Sequence, residues 1–170
     1  MRHRWLVPLI LALAAGPAAA QPASRVWAIA IPKKGDPQDA VLRYAFLDSD
    51  DLALGFMCTK KTGQVKVIAA SPVRLMEPQD PDAPRASRVV ASRPATVTVA
   101  SGTATATVPG QVGPDKTHDD SFVTTELSSE SPVIAAFRKT GLLRVTALRE
   151  SVDAPAPPKD MLRKFLGYCR

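Results

Sequence analysis

Apolar side chains recur at every second position in short runs along this chain, a spacing that an extended strand gathers onto one face and a helix does not. Leu52, Leu54, Phe56 and Cys58 are the clearest case. Their shared face carries the large apolar groups, so Cys58 is expected to point inward. Thr59-Lys60-Lys61-Thr62-Gly63 then forms a turn and Gln64 to Ala70 a return strand, which together make a hairpin. Upstream, Val26-Trp27-Ala28-Ile29-Ala30-Ile31 is a first strand that stops at Pro32, and Lys33 to Asp39 is a loop. Val41 to Leu47 is a second strand, and Asp48-Ser49-Asp50-Asp51 a polar turn into Leu52.

Downstream the composition changes. Pro72, Pro78, Pro81 and Pro84 interspersed with charges make 71–87 a long surface loop, because proline removes the donors that helices and central strands need. The β signal resumes at Val89. Thr96 to Ala100 and Thr103 to Val108 flank a two-residue turn at Ser101-Gly102, and their threonines suit a sheet with one face in water. Pro109 to Asp120 reads as a second polar loop and Phe122 to Leu127 as a strand. Ser131-Pro132 is an N-cap followed by proline at the first helical position, opening a short helix that stops at Gly141. Leu142 to Leu148 returns to strand, Ser151 to Pro158 is a proline-rich tether, and Asp160 caps a terminal helix. Met161, Leu162, Phe165 and Leu166 form the apolar side of that helix, which ends at Cys169.

The first twenty residues have the three parts of a cleaved leader. Arg2, His3 and Arg4 are basic, Trp5 to Ala15 is apolar, and Ala18-Ala19-Ala20 supplies the small side chains that signal peptidase accepts before the cut, here between Ala20 and Gln21. The apolar run is shorter than the roughly 20 residues a membrane span needs, and no cysteine follows it as in a lipoprotein. Residues 21–170 are then a single domain with no transmembrane anchor, destined for the periplasm or the extracellular medium. In that oxidising setting Cys58 and Cys169 are expected to pair. The bridge closes a loop of about 110 residues, for which loop entropy predicts somewhat under 5 kcal/mol of stabilisation.

Taking Arg2 and Arg4 from the 22 basic residues leaves 20 against 16 acidic ones, a mild net charge of about +4. Basic doublets are dispersed and aromatic residues sparse, which argues against a nucleic-acid partner. A histidine-based catalytic set must use His118, the one histidine after the leader, beside Asp119 and Asp120 in a turn-rich loop. Asp48, Asp50 and Asp51 offer hard oxygens but lack the glycine and distant glutamate of a calcium loop, and a hairpin turn accounts for them. Glu126 and Glu130 have no feature that sets them up as an acid–base pair. No catalytic residue, metal ligand or cofactor motif is assigned. Trp27, Tyr44, Phe56, Phe122, Phe137, Phe165 and Tyr168 are expected in or near the core.

The run Phe137-Arg138-Lys139-Thr140-Gly141-Leu142-Leu143-Arg144-Val145, followed by Leu162, Phe165, Leu166 and Cys169, resembles small exported proteobacterial proteins of unassigned function. It is also distantly similar to the tail of invasion-associated locus B proteins, in which a short helix, a glycine and an apolar strand precede a closing helix. The resemblance covers roughly the last forty residues. The amino-terminal half departs from that family in having a single cysteine and no second local pair. What the resemblance implies is an envelope location and a β-rich fold, with no catalytic residue carried over.

The expected fold is mainly β, a single-domain antiparallel β-sandwich or curved sheet with one short helix and a C-terminal helix stapled to the Leu52–Cys58 strand. The expected function is a non-catalytic interaction or binding domain whose partner is a protein or a cell-envelope polymer. The alternative is an envelope hydrolase with its site near His118.

Overall fold

The computed structural model describes residues 24–33, 39–47, 49, 51–71, 92–114 and 121–170. Among these residues, nine antiparallel strands and two helices follow the alternation of the sequence: β1 (Arg25–Ala30), β2 (Ala40–Phe46), β3 (Leu52–Cys58), β4 (Gln64–Ser71), β5 (Arg93–Ser101), β6 (Ala104–Pro114), β7 (Ser121–Ser128), α1 (Pro132–Thr140), β8 (Leu143–Ala147), β9 (Glu150–Ala154) and α2 (Lys159–Cys169). The strands make one curled sheet in the order β1-β2-β3-β4-β7-β6-β5-β8-β9. The curved-sheet form of the expected fold is therefore the one adopted. The expected leader and its cut at Ala20–Gln21 lie outside the described residues, as do 72–87 of the proline-rich segment and all of 115–120 with His118.

β1 to β4 form a meander, with β2 leaving its register against β3 at Tyr44/Ala45. β5, β6 and β7 form a second meander that runs back toward the first, so β7 pairs with β4 from Gln64↔Ser128 to Ser71↔Ser121. This is a Greek-key arrangement, in which three hairpin-linked strands receive a fourth along a long connection. α1 crosses from β7 to β8 over β5 and β6, the two strands that separate them. The curl brings β9 against β3 and β4, while α2 packs on β2.

Alternation explains the core. Leu42, Leu54, Phe56, Val65, Val67, Val97, Val99, Val112 and Val145 bury one face of the sheet, and Ile134, Phe137, Leu162, Phe165 and Leu166 close it from the helices. Phe56 sits at the junction, its ring 5.0 Å from Phe137 and 6.2 Å from Phe165. Trp27, Tyr44 and Tyr168 are half-buried and packed against the core, whereas Phe122, expected there too, alternates with buried Ser121 and Val123 and so lies on the other face of β7. The threonine-rich face of β5 and β6 is the wet one, with Thr96, Thr105 and Thr107 exposed opposite buried Val97 and Val99.

Both ends of α1 are capped as its sequence predicts. The Ser131 side chain accepts from the Ile134 N–H at 3.3 Å, Pro132 opens the helix, and Gly141 takes a left-handed conformation with φ 69°. α2 differs. Pro158 occupies its N-cap position, and Asp160 lies inside the first turn, where its charge faces the unpaired N–H groups without capping them.

Three further expectations are corrected. Pro109 to Pro114 is not loop but the second half of β6, despite two prolines and two glycines. The Pro109 carbonyl accepts from the Thr125 hydroxyl at 2.7 Å, which turns its N and O toward β7. The β6–β7 ladder begins only at Gly110↔Thr125, so no ladder hydrogen bond is lost at the prolyl nitrogen. Gly110 is itself required, because a Cβ there would stand 2.5 Å from Val97 Cγ2 and 2.6 Å from the Thr124 carbonyl oxygen. The supposed tether begins with strand β9, paired to β8 from Leu143↔Ala154 to Ala147↔Glu150. The β5–β6 turn falls at Gly102-Thr103, one residue later than expected, since Ser101 pairs with Ala104.

Candidate functional site

Cys58, inward-facing at the end of β3, is bonded to Cys169 in the last turn of α2, with Cα atoms 5.5 Å apart. Both residues are buried. The β3–β4 turn completes the clasp. The N–H of Lys61 donates to the Tyr168 carbonyl at 3.4 Å and that of Gly63 to the Cys169 carbonyl at 3.0 Å. These bonds satisfy two of the carbonyls that a helix C-terminus leaves without intrahelical partners. Lys61, with φ 59°, and Gly63, with φ 68°, hold the left-handed conformations that aim those N–H groups at the helix. Beyond the bridge, Arg170 Nε reaches Glu130 at 3.1 Å.

At the same end of the strands, an open depression of about 350 Å³ is lined by Ser101, Gly102, Leu142, Arg144 and Asp153 among others. Its charges are mutually engaged. Arg144 and Asp153 are cross-strand neighbours on β8 and β9, and the guanidinium donates from Nε and Nη2 to the two carboxylate oxygens at 2.9 Å each. The hydrogen bond to Asp153, and secondly its negative charge, raise the Arg144 pKa, so this side chain is a fixed cation. The Ser101 hydroxyl donates to the Leu142 carbonyl at 2.7 Å and lies 3.1 Å from that of Thr140. A carbonyl accepts that proton without removing it, so Ser101 is held as a structural hydroxyl and not as an activated nucleophile.

A row of hydroxyls crosses the outer face beside this pair. Thr107, Thr98, Thr146 and Ser151 are successive cross-strand neighbours on β6, β5, β8 and β9. Thr98 and Thr107 meet at 3.3 Å, and Thr146 and Ser151 at 2.8 Å. The alternation of threonine and apolar residues announced part of this face. Ser151 and Asp153 escaped because β9 reads as a tether.

The other residues weighed in the sequence are dispersed. Asp51 pairs with Arg25 at 3.1 Å, and its N–H donates to the Ser49 hydroxyl at 2.9 Å, as suits a hairpin turn. Glu126 stands opposite Lys66 on β4, whereas Glu130 belongs to the Arg170 pair. His118, on which the hydrolase alternative depends, lies outside the described residues. Among the described residues no group of three or more His, Cys, Asp or Glu is placed to hold a metal ion, and no helix is long and apolar enough to cross a membrane. Comparison with protein families, curated proteins and solved structures finds no match to this chain.

Proposed function

We propose that this chain is an exported binding domain that works in the periplasm or the extracellular medium and performs no chemistry of its own, its partner being a protein or a polymer of the cell envelope. The observation that carries this reading is the Cys58–Cys169 bridge. It joins the third strand to the last helix across 111 residues, and a bond of this kind persists where thiols are oxidised. The leader pattern of residues 1–20 and the likeness of the C-terminal run to exported envelope proteins support the same compartment. The engaged Arg144–Asp153 pair and the satisfied Ser101 hydroxyl support a rigid surface over a reactive one. Cell fractionation with amino-terminal sequencing tests the proposal. A periplasmic or secreted species that begins at Gln21 and shifts on reduction is expected, and an intact amino terminus in the cytosol overturns it. The binding half is tested by cross-linking the folded domain in intact cells, where failure to cross-link any envelope component counts against it.

A further inference from the structure

α2 buries Leu162, Phe165, Leu166 and Cys169 and turns its opposite side, with Arg163, Lys164 and Gly167, to solvent. Helical spacing puts Gly167 four residues from Arg163 and three from each of Lys164 and Arg170, so these cations surround a bare stretch of helix backbone. A Cβ at Gly167 would meet no atom within 4 Å, so neither the fold nor any neighbouring contact requires glycine there. Such a glycine costs helix stability. The β3–β4 turn adds Lys60 and Lys61 beside the helix C-terminus, with Lys60 Nζ 6.0 Å from the Tyr168 ring centre. Acidic groups near this face are Asp160 on α2, Glu130, which pairs with Arg170, and Asp39, whose carboxylate accepts from the Thr59 hydroxyl beside Lys60 at 2.7 Å, so five cations stand against three carboxylates.

We propose that this cationic face of α2 docks on an anionic lipid surface, with Arg163, Lys164, Arg170, Lys60 and Lys61 contacting the headgroups and Gly167 letting the helix backbone approach them. The proposal goes beyond the binding-domain reading by adding a lipid surface as a second ligand beside the protein or polymer partner, and it rests on that reading for the compartment in which such a surface is met. Two observations favour lipid headgroups. The face is positive on balance, as an anionic surface requires. The apolar side of α2 is committed to the core, so association is electrostatic and without insertion, strengthening roughly fivefold for each basic side chain brought to the surface.

Co-sedimentation of the oxidised protein with vesicles of pure phosphatidylglycerol or pure phosphatidylcholine tests this. Binding to phosphatidylglycerol alone is expected, lost as salt shortens the range of the attraction. The R163E/K164E variant is expected to bind at least about tenfold more weakly, with circular dichroism and melting temperature unchanged. The R93E/R149E variant makes the same change in charge at exposed positions on the opposite ends of the strands, and it is expected to keep most of the affinity. If the glutamate pair disturbs folding, R163A/K164A carries the comparison. Equal binding to both vesicles, or equal loss in the two reversed variants, overturns the proposal. Tighter retention by soluble polygalacturonate than by vesicles also overturns it, in favour of a polymer. Export is settled separately by the amino-terminal sequence, so failure of one proposal is distinguishable from failure of the other.

Discussion

The indole N–H of Trp27, on the first strand of the sheet, donates to the carbonyl of Pro155, just past the last strand, at 2.7 Å. The two strands are the opposite edges of the sheet, so this hydrogen bond ties together the ends that its curl brings near one another. Trp27 also places its ring 5.3 Å from Tyr44 and 6.3 Å from Phe56, linking that tie to the core. Replacing Trp27 with Phe keeps an aromatic ring and removes the donor. The expected cost is about 1 kcal/mol, read as a lowering of the melting temperature by roughly 2–4 °C. Unchanged melting would show that the tie contributes nothing.

Loss of the clasp is a larger perturbation. Cys58→Ser or Cys169→Ser is expected to destabilise the domain by roughly 2–5 kcal/mol, measured by urea unfolding with and without reductant. Because the bridge is one bond, the two single variants and the double variant should lie close together, and the reductant should affect only the parent.

Two glycines give opposite signs. Gly110→Ala sets a methyl group against the Thr124 carbonyl and the Val97 side chain, and overpacking of this kind costs about 1–3 kcal/mol. Gly167→Ala fills open space within a helix and is expected to stabilise by about 1 kcal/mol. Denaturant midpoints of the two variants, moving in opposite directions from the parent, check both at once.

The α1 cap is a more local test. Ser131→Ala removes the side-chain acceptor for the Ile134 N–H and should cost about 1 kcal/mol, whereas Ser131→Asp keeps an acceptor in place. Hydrogen exchange at Ile134 should accelerate in the alanine variant and change little in the aspartate variant.

Much of the fold is legible where one physical signal acts alone. β3 is bounded as its alternation predicts, and α1 is bounded by Ser131 and Gly141 because cap chemistry is local. The signal fails where tertiary context overrides it. Pro109 reads as a breaker, yet its nitrogen faces a position where the neighbouring ladder has not begun. The β8–β9 turn uses Leu148 and Arg149 at φ 52° and 70°, left-handed conformations that usually advertise themselves through glycine or asparagine. With that turn hidden, β9 was invisible, and with it the Arg144–Asp153 pair. Cysteine pairing is open to inference because the sequence holds only two thiols. Nothing in the residues 159–170 alone says which of their cations share a surface with Lys60, since that depends on how the last helix docks.

The position of β7 between β4 and β6 sets a schedule for assembly. A polypeptide threaded from its amino terminus delivers β1 to β4 first, and the outer edge of β4 has no strand to pair with until residues 121–128 arrive. The nascent sheet thus presents an apolar margin, including Val65 and Val67, to whatever is nearby during that interval. Folding yield should therefore depend more on how quickly the carboxyl-terminal half follows, or on a chaperone that shields the gap, than on the stability of the finished molecule.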